Sequence, residues 1–114
     1  DKTMANAFKN AGLAATGTSL TDAYTAGSGV TATVIGLTCA NVSSTNPIEV
    51  TIKFFDASAN ATFHIVKNAQ VFLGGALVAV GGDQKLVLET GDKIKIISNT
   101  AASVDTIVSV MEQS

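Results

Sequence analysis

The sequence has 114 residues, of which 46% are hydrophobic and 14% are charged, and its formal net charge is −2. This length fits one domain, and such a composition excludes a chain that is disordered through high charge and low hydrophobicity. All seven cationic residues are lysines, so no guanidinium fork is present for phosphate recognition, and nucleic-acid binding is not expected. No apolar run approaches the ~20 residues that span a bilayer, so no membrane partner is expected either.

The first part of the sequence is small and polar and shows no helical stripe. We expect residues 1–18 to form an extended N-terminal arm or a first edge strand, with residues 1–3, which precede Met4, as a possible vector remnant. Residues 19–114 are predicted to form the folded domain, because β-type runs and turn residues alternate there at the spacing typical of a sandwich or barrel.

Strands of period two continue to the end of the chain, and no amphipathic run of a dozen residues predicts a helix. About eight strands are predicted, at residues 20–25, 30–41, 49–55, 62–67, 71–80 (as one kinked strand or two short ones), 85–89, 93–98 and 103–112. The predicted fold is therefore all-β, a two-sheet antiparallel β-sandwich of the jelly-roll-like or immunoglobulin-like type.

Three local features follow from the pattern of apolar residues. The apolar phase shifts by one residue between Val34 and Gly36, which predicts a β-bulge at that point. Residues 85–89 and 93–98 are predicted to pair as a hairpin. Strict alternation predicts that Phe63 and Ile65 face the core.

The residues that usually carry chemistry are few. His64 is the single histidine and lies on the polar side of its strand, whereas a histidine-based metal site needs more ligands of this kind. Cys39 lies in an apolar run without basic neighbours, which favours a small buried side chain over a reactive thiol. No catalytic residue, cofactor or metal ligand is predicted, and we do not expect an enzyme.

Charged residues are interpreted as surface and turn residues. Lys93 and Lys95 share one side of a strand, which indicates a solvated outer face and not a basic patch. Four aspartates in or near turns are interpreted as turn formers and not as calcium ligands: Asp56, Asp83, Asp92 and Asp105.

Several stretches of the sequence match a known group of proteins. They are residues 18–26 (TSLTDAYTA), 30–41 (ending in Ala-Asn), 48–56, 85–92 (KLVLETGD) and the valine-rich last strand that ends at Met111 and Glu112. In these stretches the sequence resembles small β-sandwich virion proteins of tailed bacteriophages, particularly those of marine and cyanobacterial phages.

The resemblance implies a non-enzymatic capsid decoration (cement) protein, or alternatively a neck or tail subunit. It implies a homo-oligomer, specifically a trimer, that binds the major capsid protein or another virion protein and is soluble in the host cytoplasm before assembly. Apolar residues at outward-facing or ambiguous positions are the candidates for its oligomer or capsid interface: Phe8, Phe55, Phe72, Ile107 and Met111.

A carbohydrate-binding or receptor-binding β-module is the alternative from another class, because one fold can host both uses. Such sites present aromatic platforms, and the sequence has no Trp, one Tyr and five Phe. This composition favours assembly over sugar binding.

Overall fold

The computed structural model describes residues 6–82 and 84–114, and within them the chain forms strands and no helix. The strands are β1 (Asn6–Thr16), β2 (Thr21–Thr25), β3 (Thr31–Asn41), β4 (Ile48–Asp56), β5 (Ala61–Val71), β6 (Ala76–Val80), β7 (Leu86–Leu88), β8 (Lys93–Ser98) and β9 (Val104–Gln113). The described residues thus hold no helix that could cross a membrane. The proposed remnant at residues 1–3 and the turn aspartate Asp83 lie outside the described residues.

Two antiparallel sheets pack against each other, which confirms the predicted β-sandwich. Sheet I has the order β1-β9-β3-β6, with β7 also paired to β3, and sheet II has the order β2-β8-β4-β5. Strands from the first half of the chain pair with strands from the second half: β1 with β9, β2 with β8, β3 with β6 and β7, and β4 with β5. The whole chain thus forms one long hairpin, whose successive strand pairs lie in alternate sheets. This order is that of a jelly roll, and it decides between the two predicted sandwich types.

The core lies between the sheets and is made of side chains at alternate strand positions. Along β9 the inward positions carry Val104, Thr106, Val108 and Val110, which are all buried as the alternation predicts. Each fully buried Val, Leu or Ile contributes about 1.5–3 kcal/mol relative to an exposed one. The largest fully buried apolar side chains are Val34, Leu37, Ile48, Val50, Ile52, Leu88, Ile94, Ile96, Val104, Val108 and Val110.

The predicted bulge in β3 is confirmed. The register of β3 against β9 shifts between Val34 and Gly36, so that both Val34 and Leu37 point into the core. The extra residue, Ile35, is turned to the outside of sheet I, where it is partly exposed.

The predicted hairpin of residues 85–98 is wrong. β7 pairs with β3 in sheet I, whereas β8 lies between β2 and β4 in sheet II. The turn between β7 and β8 therefore crosses from one sheet to the other. Alternation predicts that Leu88, Ile94 and Ile96 face the core, and all three are buried. It carries no information about which strand is the neighbour.

The predicted burial of Phe63 is also wrong. Phe63 lies opposite Phe54, whose side of the strand faces the core, but 54% of its surface is exposed. The two rings stack with centroids 6.2 Å apart beside an open cleft between the sheets, where sheet I does not cover them. Ile65, in contrast, is partly buried against the core as predicted.

Within the predicted arm of residues 1–18, Asn6–Thr16 form an edge strand, which was one of the two predictions for this segment. β1 pairs with β9 from Asn6 opposite Gln113 to Thr16 opposite Val104. After residue 19 the structure has eight strands, as predicted, but β5 extends to Val71 and a turn separates it from β6, so the strand predicted at residues 71–80 begins only at Ala76. In that turn Gly74 adopts a φ of 71°, a conformation that favours glycine.

Candidate assembly surface

The outer face of sheet I is built from the residues that alternate with the core. Residues directly opposite each other in an antiparallel pair point to the same side of the sheet. Because Val108 and Val110 are buried, their neighbours along β9 and the partners of those neighbours face outward. We call this surface face I; its members are Phe8, Asn10, Gly12, Thr33, Ile35, Gly36, Thr38, Val78, Val87, Ile107, Ser109 and Met111.

Face I exposes large apolar side chains side by side. Phe8 is 77% exposed, Val78 66% and Ile107 55%, and Val87 and Ile35 add to the same surface. Single exposed apolar residues are normal on a protein surface, but several on one sheet face mark an interaction surface. Among the described strand residues of sheet I, Asp105 is the one charged residue at an outward position, and it lies at the edge of face I beside Ala40 and Ala15. Lys85 and Glu89 are exposed just outside the two ends of β7.

The outer face of sheet II, which we call face II, has the opposite character. Its outward positions carry Asp22, Glu49, Lys53, Lys93 and Lys95. The Asp22 carboxylate accepts hydrogen bonds from Lys95 and Lys93 at 2.8 and 2.9 Å. These two ammonium groups hold the pKa of Asp22 below its usual value, with Lys95 as the larger cause. Lys93 and Lys95 thus lie on a charged, solvated face, as predicted.

Three of the five predicted interface residues come together on face I. Phe8 lies opposite Met111, and Ile107 lies four positions before Met111 on the same side of β9. Phe8 and Ile107 are exposed, and Met111 is half-buried.

The other two predicted interface residues lie elsewhere. Phe55 is on face II and is half-buried, with the Lys95 Nζ atom 5.9 Å from the centre of its ring. Phe72 is exposed in the turn between β5 and β6, next to the exposed Leu73. The five residues therefore do not form one surface.

Sequence reasoning missed Val78, Val87 and Ile35 as members of face I. Val78 and Val87 each lie between inward-pointing neighbours, so alternation within β6 and β7 could have identified them. Ile35 becomes exposed only because of the bulge. The alternation pattern does not show that β6 and β7 pair with β3. This pairing brings Val78 and Val87 onto the same sheet face as the outward side chains of β9.

A shallow depression of about 230 Å³ lies on face I, at the edge between β1 and β9. Gly12 lies opposite Ile107 there and leaves the Ile107 side chain uncovered. A Cβ atom built on Gly12 would have no atom within 4 Å, so the depression is open above this glycine. The carboxylate of Asp105 at its rim accepts a hydrogen bond of 2.7 Å from the Ala15 N–H.

A second depression, of about 300 Å³, is the cleft between the sheets beside Phe54 and Phe63. Its wall is mainly apolar, and His64 and Lys85 lie at its rim. His64 is exposed, as predicted. Among the described residues no group of three or more His, Cys, Asp or Glu is placed to hold a metal ion.

A polar cluster closes the end of the sandwich where β1 begins. The Tyr24 hydroxyl donates a hydrogen bond to the Glu112 carboxylate, and the Lys9 ammonium lies 3.5 Å from the same carboxylate. Burial and then the Glu112 charge raise the pKa of Tyr24. The cluster links β2 to the pair of β1 and β9 and satisfies its own polar groups, so its role is structural.

Comparison with solved structures finds the same fold in chains of other proteins. A chain from the disulfide-linked pili of Bacillus endospore appendages superposes with a TM-score of 0.51 at 16% identity, covering 100% of this chain and 90% of that one. A chain from the acid-stable capsid of Helicobacter pylori bacteriophage KHP30 superposes with a TM-score of 0.54 at 12% identity, covering 98% and 92%. No protein-family description and no curated protein gives a significant match.

At these identities the likeness establishes a shared fold. The class that the fold and the surface define is a small jelly-roll protein with one charged sheet face and one uncharged, apolar sheet face.

Proposed function

We propose that the protein is a non-enzymatic structural subunit of a bacteriophage virion, of the capsid decoration (cement) type. It assembles with copies of itself and binds the capsid surface, where it stabilises the particle. The observation that carries this proposal is face I, an apolar sheet face with a single charged residue at an outward position of its described strands. A surface of this kind is stable in water when a neighbour covers it.

The likeness to a chain of a phage capsid supports the virion as the setting. It adds to the resemblance of residues 18–26 and 85–92 to virion proteins of tailed phages. The marine or cyanobacterial phage type and the trimer rest on that resemblance, and a native mass measurement gives the copy number.

The likeness to the endospore appendages supports a filament less well. Those pili are disulfide-linked. The only cysteine of this sequence, Cys39, is fully buried beside Thr106, with its Sγ atom 3.6 Å from the Thr106 hydroxyl. Burial raises the pKa of the Cys39 thiol, which makes it less reactive still. This sequence thus offers no accessible thiol for such a link.

Two matched variants test the proposal. Ile107→Asp places a charge in the middle of face I, and Thr62→Asp places the same charge at an exposed position of face II. Purified virions that lack the protein are mixed with each variant, and occupancy is measured by mass spectrometry of the washed particles and by electron cryomicroscopy. We expect the wild type and Thr62→Asp to fill the particle, and Ile107→Asp to lose at least tenfold in occupancy.

The location on the particle decides between the structural alternatives. Density on the capsid shell supports a decoration protein, and density confined to the neck or tail overturns that part of the proposal. Failure of the wild type to bind any virion component overturns the virion role, and full occupancy by Ile107→Asp overturns the role of face I.

A further inference from the structure

Face I carries a projecting aromatic ring and a depression on the same strand. Phe8 is the most exposed large apolar side chain of the described residues, and it points outward from β1. The depression at Gly12 lies four residues further along the same strand and opens to the same side. At about 3.3 Å per residue, the ring and the depression are ~13 Å apart.

The size and lining of the depression suit an aromatic ring. Its volume of about 230 Å³ belongs to an open, shallow depression, against which one side of a ring can lie. Gly12, Ala14 and Ile107 supply mainly apolar walls. The charge at the rim, on Asp105, already accepts the Ala15 N–H.

A projection and a matching depression on one face are the requirement for a two-fold contact. In such a contact the same patch is used by both copies, and each projection meets the depression of the other copy. A ring or filament instead needs complementary patches on two different sides of the molecule. We infer that a second copy of this chain covers face I by a two-fold contact, in which Phe8 of each copy inserts at Gly12 of the other.

Charge and area agree with this occupant. Two copies of face I bring no lysine or glutamate of the described strands together. Contact through face II would instead remove from water the charged side chains of Asp22, Glu49, Lys53, Lys93 and Lys95. Sheet I is four strands wide. With strands about 4.8 Å apart and about eight residues of 3.3 Å along each, face I covers roughly 500 Å² per copy. The total of about 1,000 Å² is at the lower end for specific interfaces, so the dimer is expected to be weak in solution.

The inference rests on the proposed function, since it names the partner at the same surface. It also departs from the trimer that the sequence resemblance implies, because a two-fold contact closes at two copies.

The test uses the double variant Phe8→Cys/Gly12→Cys. Cys39 is buried, so the two introduced thiols are the accessible ones. They lie ~13 Å apart on one strand, so a short bis-maleimide cross-linker does not join them within one chain. Two sheets that pack face to face lie about 10 Å apart, and thiols that point toward each other across such a contact come within reach of this reagent. We expect a closed covalent dimer with two cross-links, and an equimolar mixture of the two single variants should give a dimer with one cross-link.

The pattern of cross-linked products decides the inference. A covalent trimer or a ladder of larger products shows a contact between different patches and overturns it. Absence of cross-linking at concentrations where the wild type associates also overturns it.

A second variant tests the depression without new chemistry. Gly12→Trp fills the depression, and the chain should still fold because nothing lies within 4 Å of the added Cβ. We expect its dimer dissociation constant, measured by analytical ultracentrifugation, to rise at least tenfold, while Thr62→Trp on face II leaves it unchanged. An unchanged constant for Gly12→Trp contradicts the inference.

Failure of this inference is distinguishable from failure of the proposed function. Particle binding without two-fold cross-links leaves the virion role in place and overturns the contact. A cross-linked dimer that binds no virion component supports the contact and overturns the virion role.

Discussion

Asp92 is a turn residue whose carboxylate holds two separate turns together. It is buried, its Oδ2 atom accepts the Glu89 N–H at 2.9 Å, and its Oδ1 atom accepts the Ala57 N–H at 2.8 Å. The preceding Gly91 has a φ of 88° and packs so closely on Ala57 that an added Cβ would lie 3.0 Å from the Ala57 Cβ. Gly91 and Asp92 therefore hold in place the turn in which the chain passes from β7 in sheet I to β8 in sheet II.

We expect Asp92→Ala to lower the free energy of unfolding by about 2 kcal/mol, because two partly buried N–H groups lose their acceptor. Urea unfolding followed by far-ultraviolet circular dichroism measures this loss. The control is Asp56→Ala, which removes hydrogen bonds to Ser58 and Ala59 within a single exposed turn, where water can replace them. Its loss should stay below about 1 kcal/mol; equal losses for the two variants would show that Asp92 does not link the turns.

At the scale of the element, β1 has two parts with different roles. The side chains of residues 6–10 are exposed, so this part adds little to the core. At the other end, the Thr16 and Gly17 carbonyls accept the N–H groups of Ser103 and Ser98, and Thr16 is buried. The second part is thus tied to the turn between β8 and β9, whereas the first part presents Phe8 on face I.

Two truncations should separate these roles. Removal of residues 1–10 is expected to cost about 1 kcal/mol of unfolding free energy and to raise the dimer dissociation constant at least tenfold, because Phe8 and the first half of β1 are lost. Removal of residues 1–17 is expected to lower the unfolding free energy by at least about 3 kcal/mol. The Ser98 and Ser103 N–H groups lose their acceptors, and β9 loses β1, one of its two neighbouring strands. Urea unfolding and ultracentrifugation of both chains measure the two effects, and equal stability of the two truncations would contradict this division of β1.

The alternation of apolar residues predicted which way the side chains point from each strand, but not which strands pair with each other. Alternation correctly placed Val104, Val108 and Val110 on one side of β9 and Ile107 on the other, and a one-residue phase shift located the bulge at Ile35. Pairing between strands far apart in the chain is not encoded in a period of two, so the partner of β7 was wrong and the continuity of face I was not seen. Phe63 is a second example. Alternation correctly predicts that its side chain points to the side of β5 that faces the core, but whether the side chain is buried depends on the residues of the opposite sheet.

At the scale of the whole molecule, the two outer sheet faces differ in charge. The chain has only sixteen charged residues, seven basic and nine acidic, and five of them lie at outward positions of face II. The charged side chains on the outer sheet faces are therefore found mainly on face II. A molecule divided in this way stays soluble through one face while the other is available to a neighbour.

This division predicts how self-association responds to salt. Raising the ionic strength from 0.1 M to 1 M shortens the Debye length from about 10 Å to about 3 Å and weakens attraction between exposed charges. Contact through face I is apolar, so its dissociation constant, measured by ultracentrifugation, should stay the same or fall in 1 M NaCl. Lys53→Glu, which changes the charge of face II at a position opposite Lys95, should leave the constant unchanged at both salt concentrations. A tenfold weakening of the wild type in high salt, or a large effect of Lys53→Glu, would place the contact on face II and remove the physical basis for assembly through face I.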